Sequence, residues 1–139
     1  MRALAYMSCA STKLSAVKLS EILRSSERFN RIAGVTGVML FDGLRFFQYL
    51  EGPLDGLNGV MGRVRNATSH EALEILLSQD IGQRLIPYWS MQIFTENQID
   101  LQALKTANWG PLLATPSLGE KNDGMDRLLA IVRRRLDAA

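Results

Sequence analysis

Gln48 is the residue in this chain that most needs a chemical explanation. It stands in the run Arg45-Phe-Phe-Gln-Tyr-Leu-Glu51. Period-two alternation there puts Phe46, Gln48 and Leu50 on one face and Arg45, Phe47, Tyr49 and Glu51 on the other. An amide buried between two large apolar neighbours costs about 1–3 kcal/mol unless it finds hydrogen-bond partners. Two groups elsewhere could supply them. Tyr6 lies in an apolar N-terminal run, sharing a face with Leu4 and Ser8. Asn30 lies eleven residues beyond Leu19 and seven beyond Leu23, within ~20° of their stripe at 100° per residue. A phenol and an amide each donate and accept, so a Tyr–Gln pair can exchange roles without moving charge. Trp89 and Met91, expected on one strand face with Ile93, add an aromatic and a thioether. Such a set suits a planar heteroaromatic ligand with ring carbonyl and nitrogen acceptors, and does not suit hydrolysis.

Other chemistries find little support. There is no acid–base pair, no Ser-His-Asp set, no P-loop and no G-x-G-x-x-G, so no enzymatic activity is expected. A formal net charge of +2 gives no strong basic field, which disfavours nucleic acid as a partner. No apolar run approaches the ~18–20 residues needed to span a bilayer, and no secretory signal opens the chain. A cytoplasmic protein without a membrane partner is expected. One cysteine and one histidine exclude an internal disulfide and disfavour a zinc site. Cys9 reads as a small packed residue, and His70 as a solvent-exposed residue in the connection after a helix.

These groups must be positioned by a hairpin and the elements around it. Two apolar runs flank Asp42-Gly43, which suits a tight turn requiring positive φ. The first arm, Val35 to Phe41, is apolar on both faces and reads as a central strand. A first strand spans Met1 to Ser8, followed by a polar loop from Cys9 to Leu14. A helix runs from an N-cap at Ser15 to about Asn30, with Leu19, Ile22, Leu23 and Ser26 inward. A second helix follows Gly52-Pro53, with Leu54, Leu57, Met61 and Val64 inward. Gly56, Gly59 and Gly62 interrupt it, so either it is loosely held or a backbone or ligand approaches closely. A strand over Glu71 to Gln79 and a short strand over Tyr88 to Phe94 follow. Helices are expected over Asp100 to Ala107 and Gly124 to Leu136, with a loop from Pro116 to Asp123. The last helix could cover the free sheet face or meet a partner. The order is that of an α+β, ferredoxin-like βαββαβ sandwich with an extra strand and a C-terminal helical extension. Right-handed crossovers place its first two helices on one sheet face.

Over about Met1 to Phe94 the sequence resembles the BLUF domain family, the blue-light sensors that use FAD. The resemblance rests on Tyr6-x-Ser8, on Asn30 ahead of Gly34-Val-Thr-Gly37, on Phe46-x-Gln48-x-Leu50-Glu51-Gly52-Pro53, and on Trp89-Ser90-Met91. A short helical tail without an enzymatic module is similar to the stand-alone members. The resemblance implies a photosensor domain over 1–95 and a helical cap or output extension over 96–139. It implies non-covalent FAD held between two helices. Asn30 matches the amide at the ring's polar edge, Gln48 the photoactive glutamine, and Tyr6 the tyrosine that bonds it and donates an electron and proton. Trp89 and Met91 match the relay pair, Ile22 an aliphatic residue against the ring, and Arg63 a basic residue near the phosphates. Phe29 replaces a polar neighbour of Asn30 and is expected to stack on the ring. Signalling would pass to an unidentified downstream protein or a homo-oligomer interface. The alternatives are a ferredoxin-like regulatory domain that binds a small metabolite without photochemistry, and, less favoured, a redox flavoenzyme.

Overall fold

The computed structural model describes residues 1–11, 14–68, 70–110 and 123–137. The hairpin forms where its composition predicts it. Strands β2 (Thr36–Phe41) and β3 (Arg45–Gly52) pair antiparallel, with Met39 opposite Gln48 and Phe41 opposite Phe46. At the turn only Gly43 takes a positive φ, 99°. Asp42 contributes its side chain instead, Oδ1 accepting the N–H groups of Leu44 at 2.9 Å and Arg45 at 2.7 Å. The turn is thus closed by an Asx-type bond and one glycine, not by two left-handed residues.

Strand β1 (Arg2–Ala10) lies beside β3 and sets Tyr6 opposite Gln48. The sheet is completed by β4 (His70–Asp80) outside β1 and by β5 (Gln92–Thr95), parallel to β2, in the order β4-β1-β3-β2-β5. Helix α1 (Ala16–Ala33) starts at Ser15, whose Oγ accepts the Lys18 N–H at 3.1 Å, and stops at Gly34 in the left-handed conformation. Helix α2 (Leu54–Asn66) follows Pro53. Leu19 and Leu23 of α1 and Leu57, Val60 and Met61 of α2 pack on the face carrying Leu4, Tyr6, Met39 and Leu50. The opposite face carries Ala5, Val38, Phe47 and Tyr49. It is covered by Leu101 and Leu104 of α3 (Gln98–Thr106) and by Met125, Leu128 and Val132 of α4 (Asp123–Asp137). The fold is therefore α+β and ferredoxin-like, with an extra strand and a C-terminal helical extension over the second face.

Several expectations need correction. β4 does not alternate cleanly, because its pairing with β1 shifts register twice and Ala72 takes φ 56°. Each extra residue turns the following side chains over, so Leu73 packs towards the first two helices while Leu76 and Leu77 pack on the other side. Regular pairing of the last strand starts at Gln92, so Trp89 and Met91 belong to an irregular segment and do not share a face. β1 runs on to Ala10. Cys9 is exposed instead of packed, beyond the last buried residue of that strand and at one of its register shifts. Of the three α2 glycines, only Gly56 is crowded: a Cβ there would fall inside contact distance of the Ala33 carbonyl oxygen, whereas Gly59 and Gly62 face open space. The expected loop from Pro116 to Asp123 lies, up to residue 122, outside the described residues.

Candidate functional site

The sheet face under α1 and α2 is not filled. A cavity of about 330 Å³ opens between the two helices, floored by Tyr6, Met39, Phe46 and Gln48 and walled by Ile22, Ser26 and Val64. Each floor residue is there because of strand alternation. Tyr6 and Gln48 are directly opposed across β1 and β3, and Met39 is opposed to Gln48 across β2 and β3. The small side chains Ser25, Ser26 and Ala67 line the same space, so neither helix fills it from above.

The polar chemistry centres on Gln48, which is 2% exposed. Its Oε1 accepts a hydrogen bond from the Tyr6 hydroxyl, and its Nε2 points at the Met91 sulfur at 3.6 Å. The thioether is a weak acceptor, so one end of this amide is held firmly and the other loosely. Burial pushes the Tyr6 pKa well above its ordinary value of 10, which keeps the phenol neutral and donating. The structure thus brings together Tyr6, Gln48 and Met91. Trp89 points to the other side of the sheet, where it packs in the α3–α4 core edge-on to Phe94 at 6.0 Å.

Asn30 is buried as its azimuth predicts, but it stands outside the cavity lining. Its Nδ2 donates to the Ser90 carbonyl at 2.9 Å, tying the end of α1 to the segment carrying Met91. Ile22 lines the cavity. Arg63 lines it too, donating to the carbonyl and hydroxyl of Ser25 and lying over the Phe29 ring at 5.2 Å. Phe29 itself is 37% exposed and does not line the cavity. One residue from Asn30 on a helix means a turn of about 100°, which carries Phe29 off the inward face.

His70 corrects an expectation and adds a residue that composition alone could not place. It is half-buried at the start of β4 and lines the cavity, with its ring 6.2 Å from that of Tyr6. Its Nε2 lies 2.8 Å from the Val64 carbonyl, and its Nδ1 is buried without a partner. The Ser8 hydroxyl, in the same cavity wall, is likewise buried and unpartnered. Two unpaired buried polar atoms, a floor that sets an amide and a phenol among Met39 and Phe46, and an opening between helices fit a flat, mostly apolar ring system with polar edges. Among the described residues no cluster of histidine, cysteine or carboxylate side chains could hold a metal ion.

Comparison with known proteins agrees with this chemistry. The model of the BLUF family, described as sensors of blue light using FAD, matches residues 1–92. The beta subunit of a photoactivated adenylate cyclase from Euglena longa is 30% identical over 97 residues, covering 69% of this chain. The chain spans only about a tenth of that protein's length, 11%. Among solved structures, the BLUF protein BlrB in its dark state is 27% identical with a TM-score of 0.65, over 74% of this chain and 76% of that one. BlsA in its ground state shares the fold with a TM-score of 0.71 at 23% identity, over 95% of this chain and 87% of that one.

Proposed function

The chain belongs to the BLUF family of flavin-based blue-light sensors, and on that footing we propose that it is a photoreceptor whose switch is the Tyr6–Gln48 pair and whose flavin is FAD, held non-covalently. The observation that carries this reading is the buried hydrogen bond from Tyr6 to Gln48, facing an open cavity between two helices. When bound, the flavin supplies blue-light absorption and an excited state able to take an electron from a nearby phenol.

The protein's own part can be derived from the bond pattern. Tyr6 is within hydrogen-bond contact of Gln48 and held neutral by burial, so its hydroxyl proton has one protein acceptor at hand, Gln48 Oε1. If the Gln48 amide rotates or tautomerises, Oε1 no longer accepts from Tyr6 in the same way, and the amide presents a new donor–acceptor pattern to the cavity. The loosely held end changes with it. An oxygen turned to the Met91 sulfur would meet an atom with no proton to give, so the contact at 3.6 Å would be lost. Met91 and the segment before β5 would then be released, while Trp89 supplies the counterpart packing on the other face. Asn30, bonded to Ser90 in that segment, is proposed to bind the ring's polar edge, and Ile22 to pack against its plane.

The choice of FAD over a mononucleotide is supported by the mouth of the cavity. Lys18 and Arg63 stand in its wall. An adjoining concavity, sharing Glu21 and Ser25 with it, is lined by Arg24 and Arg28. Several cations along one exit suit a diphosphate better than a single phosphate. Residues 1–95 would form the photosensor and 96–139 the cap and output element, acting on a partner protein or on a second copy of the chain. The test is direct. Purified protein is expected to be yellow, to release FAD on denaturation, and to show a reversible red shift of flavin absorption under blue light. Protein that binds flavin but shows no shift would sink the reading.

A further inference from the structure

The segment that carries Met91 to Gln48 has no regular structure, so something else must hold it. From Arg84 to Met91 it crosses the end of the sheet between the long strand β4 and the short strand β5. Its far end is fixed at two points, the Gly37 N–H donating to the Trp89 carbonyl at 2.9 Å and Asn30 donating to the Ser90 carbonyl, and beyond them the Met91 sulfur meets Gln48 in a weak contact. Its near end is fixed by one carboxylate. Glu51 is fully buried, and its oxygens accept the Leu85 N–H at 2.9 and 3.1 Å, the Ile86 N–H at 3.1 Å and the Tyr49 hydroxyl at 2.9 Å. Arg84 holds the same end from the side, donating to the Thr36 hydroxyl at 2.5 Å, the Glu51 carbonyl at 2.9 Å and the Gly34 carbonyl at 2.8 Å.

Alternation along β3 explains the placement. Gln48 faces the cavity, while Glu51, three residues on, faces the opposite layer with Tyr49. A buried carboxylate with three protein donors is a stiff anchor, because charge-assisted bonds are short and roughly twice as strong as neutral ones. Its charge and bond also add to burial in raising the Tyr49 pKa, so that hydroxyl keeps donating.

We infer that Glu51 is a positioning residue for the photoreaction: from the far side of the sheet it sets where the Arg84–Met91 segment lies and thereby how Met91 meets the Gln48 amide. This rests on the photoreceptor reading for its light-dependent part and is independent of it in the dark. Replacing the carboxylate by an amide leaves one good acceptor for three donors and sets an N–H against one of them. The slack would be felt five residues along, at Met91.

The experiment uses the full chain with its flavin as purified and compares Glu51→Gln and Tyr49→Phe with Leu128→Ala. Leu128 is buried in the same layer and serves as a control for general loosening. The Met91 methyl resonance is recorded in the dark, and the lifetime of the red-shifted state after illumination. Glu51→Gln is expected to move the methyl resonance and change the lifetime about three-fold or more, Tyr49→Phe to do so less, and Leu128→Ala to do neither. An unmoved methyl and lifetime in Glu51→Gln would overturn the inference. So would an equal effect in Leu128→Ala. If Glu51→Gln fails to fold, Tyr49→Phe decides by the same two readouts. A wild-type protein without any red shift would count against the photoreceptor reading alone, and the dark methyl resonance would still decide this one.

Discussion

At the scale of single residues, a neutral phenol and an amide in one bond carry the site, and Tyr6→Phe should separate their contributions. The variant keeps the aromatic packing beside Met39 and Phe46 but removes the donor to a buried oxygen. A stability loss of about 1–2 kcal/mol in urea denaturation is expected, with flavin still bound and the red shift abolished. A normal photocycle in Tyr6→Phe would refute the role assigned to the hydroxyl. Tyr6 and Tyr49 share a second consequence. Both have pKa values raised above the ordinary 10 by burial, Tyr49 further by Glu51. Above pH 10 the unfolded chain therefore loses phenolic protons that the folded chain retains, and stability falls as pH rises. Below the unfolded pKa the stabilisation is complete. The expected loss across pH 9 to 11 is about 1.4 kcal/mol for each tyrosine, an average of about 0.7 kcal/mol per pH unit, and Tyr6→Phe should remove one tyrosine's share. Denaturation midpoints between pH 9 and 11, on the order of one unit either side of the ordinary value, would check this.

At the scale of elements, α1 and α2 wall the cavity, and Gly56 lets the start of α2 come against the end of α1. Gly56→Ala adds a methyl where the Ala33 carbonyl already sits. It should destabilise the protein by about 2 kcal/mol or more despite alanine's better helix propensity. Gly59→Ala and Gly62→Ala meet nothing and should each stabilise it by about 0.5–1 kcal/mol. Thermal melts of the three variants would show opposite signs. The two kinds of glycine also mark what sequence could reveal. Period and alternation placed Tyr6, Gln48 and Ile22 correctly, since each depends only on its own element's geometry. They could not tell which α2 glycine is crowded, because that depends on where a second helix passes. They also put Trp89 and Met91 on one face, and composition misplaced His70 and Cys9. Only the Trp89–Met91 expectation rests on a period, which an irregular stretch breaks; that for His70 rests on its polar neighbours and that for Cys9 on its residue type, and neither reveals that β4 begins at His70 or that β1 runs on past its last buried residue. Glu51 could be given a face but no role, for a related reason: its loop partners are backbone N–H groups more than thirty residues away, which leave no signature in side-chain composition.

At the scale of the whole molecule, two faces of one sheet hold different business, and the C-terminal helix is fastened to the joint between them. Glu96, just after β5, is buried; its carboxylate accepts from Arg134 at 3.1 Å and Arg135 at 2.6 Å, and Arg134 also reaches Asp100 at 3.3 Å. Arg135 donates further to the Thr95 carbonyl and lies over Phe94. Glu96→Gln should weaken this fastening by about 1–2 kcal/mol, since the arginines are partly solvated and lose less than a buried partner would. Faster amide exchange in α4 than in α1 would be the sign, and unchanged α4 protection would argue that its apolar face alone holds it. The edges of the sheet carry a different consequence. β4 is an eleven-residue edge strand, long enough for its open hydrogen-bonding side to recruit a strand from another molecule. Its two register shifts and the left-handed Ala72 interrupt that row of donors and acceptors. At the opposite edge β5 offers only four residues. The same bulges that spoiled the reading of β4 therefore guard the protein against stacking edge to edge into fibrils.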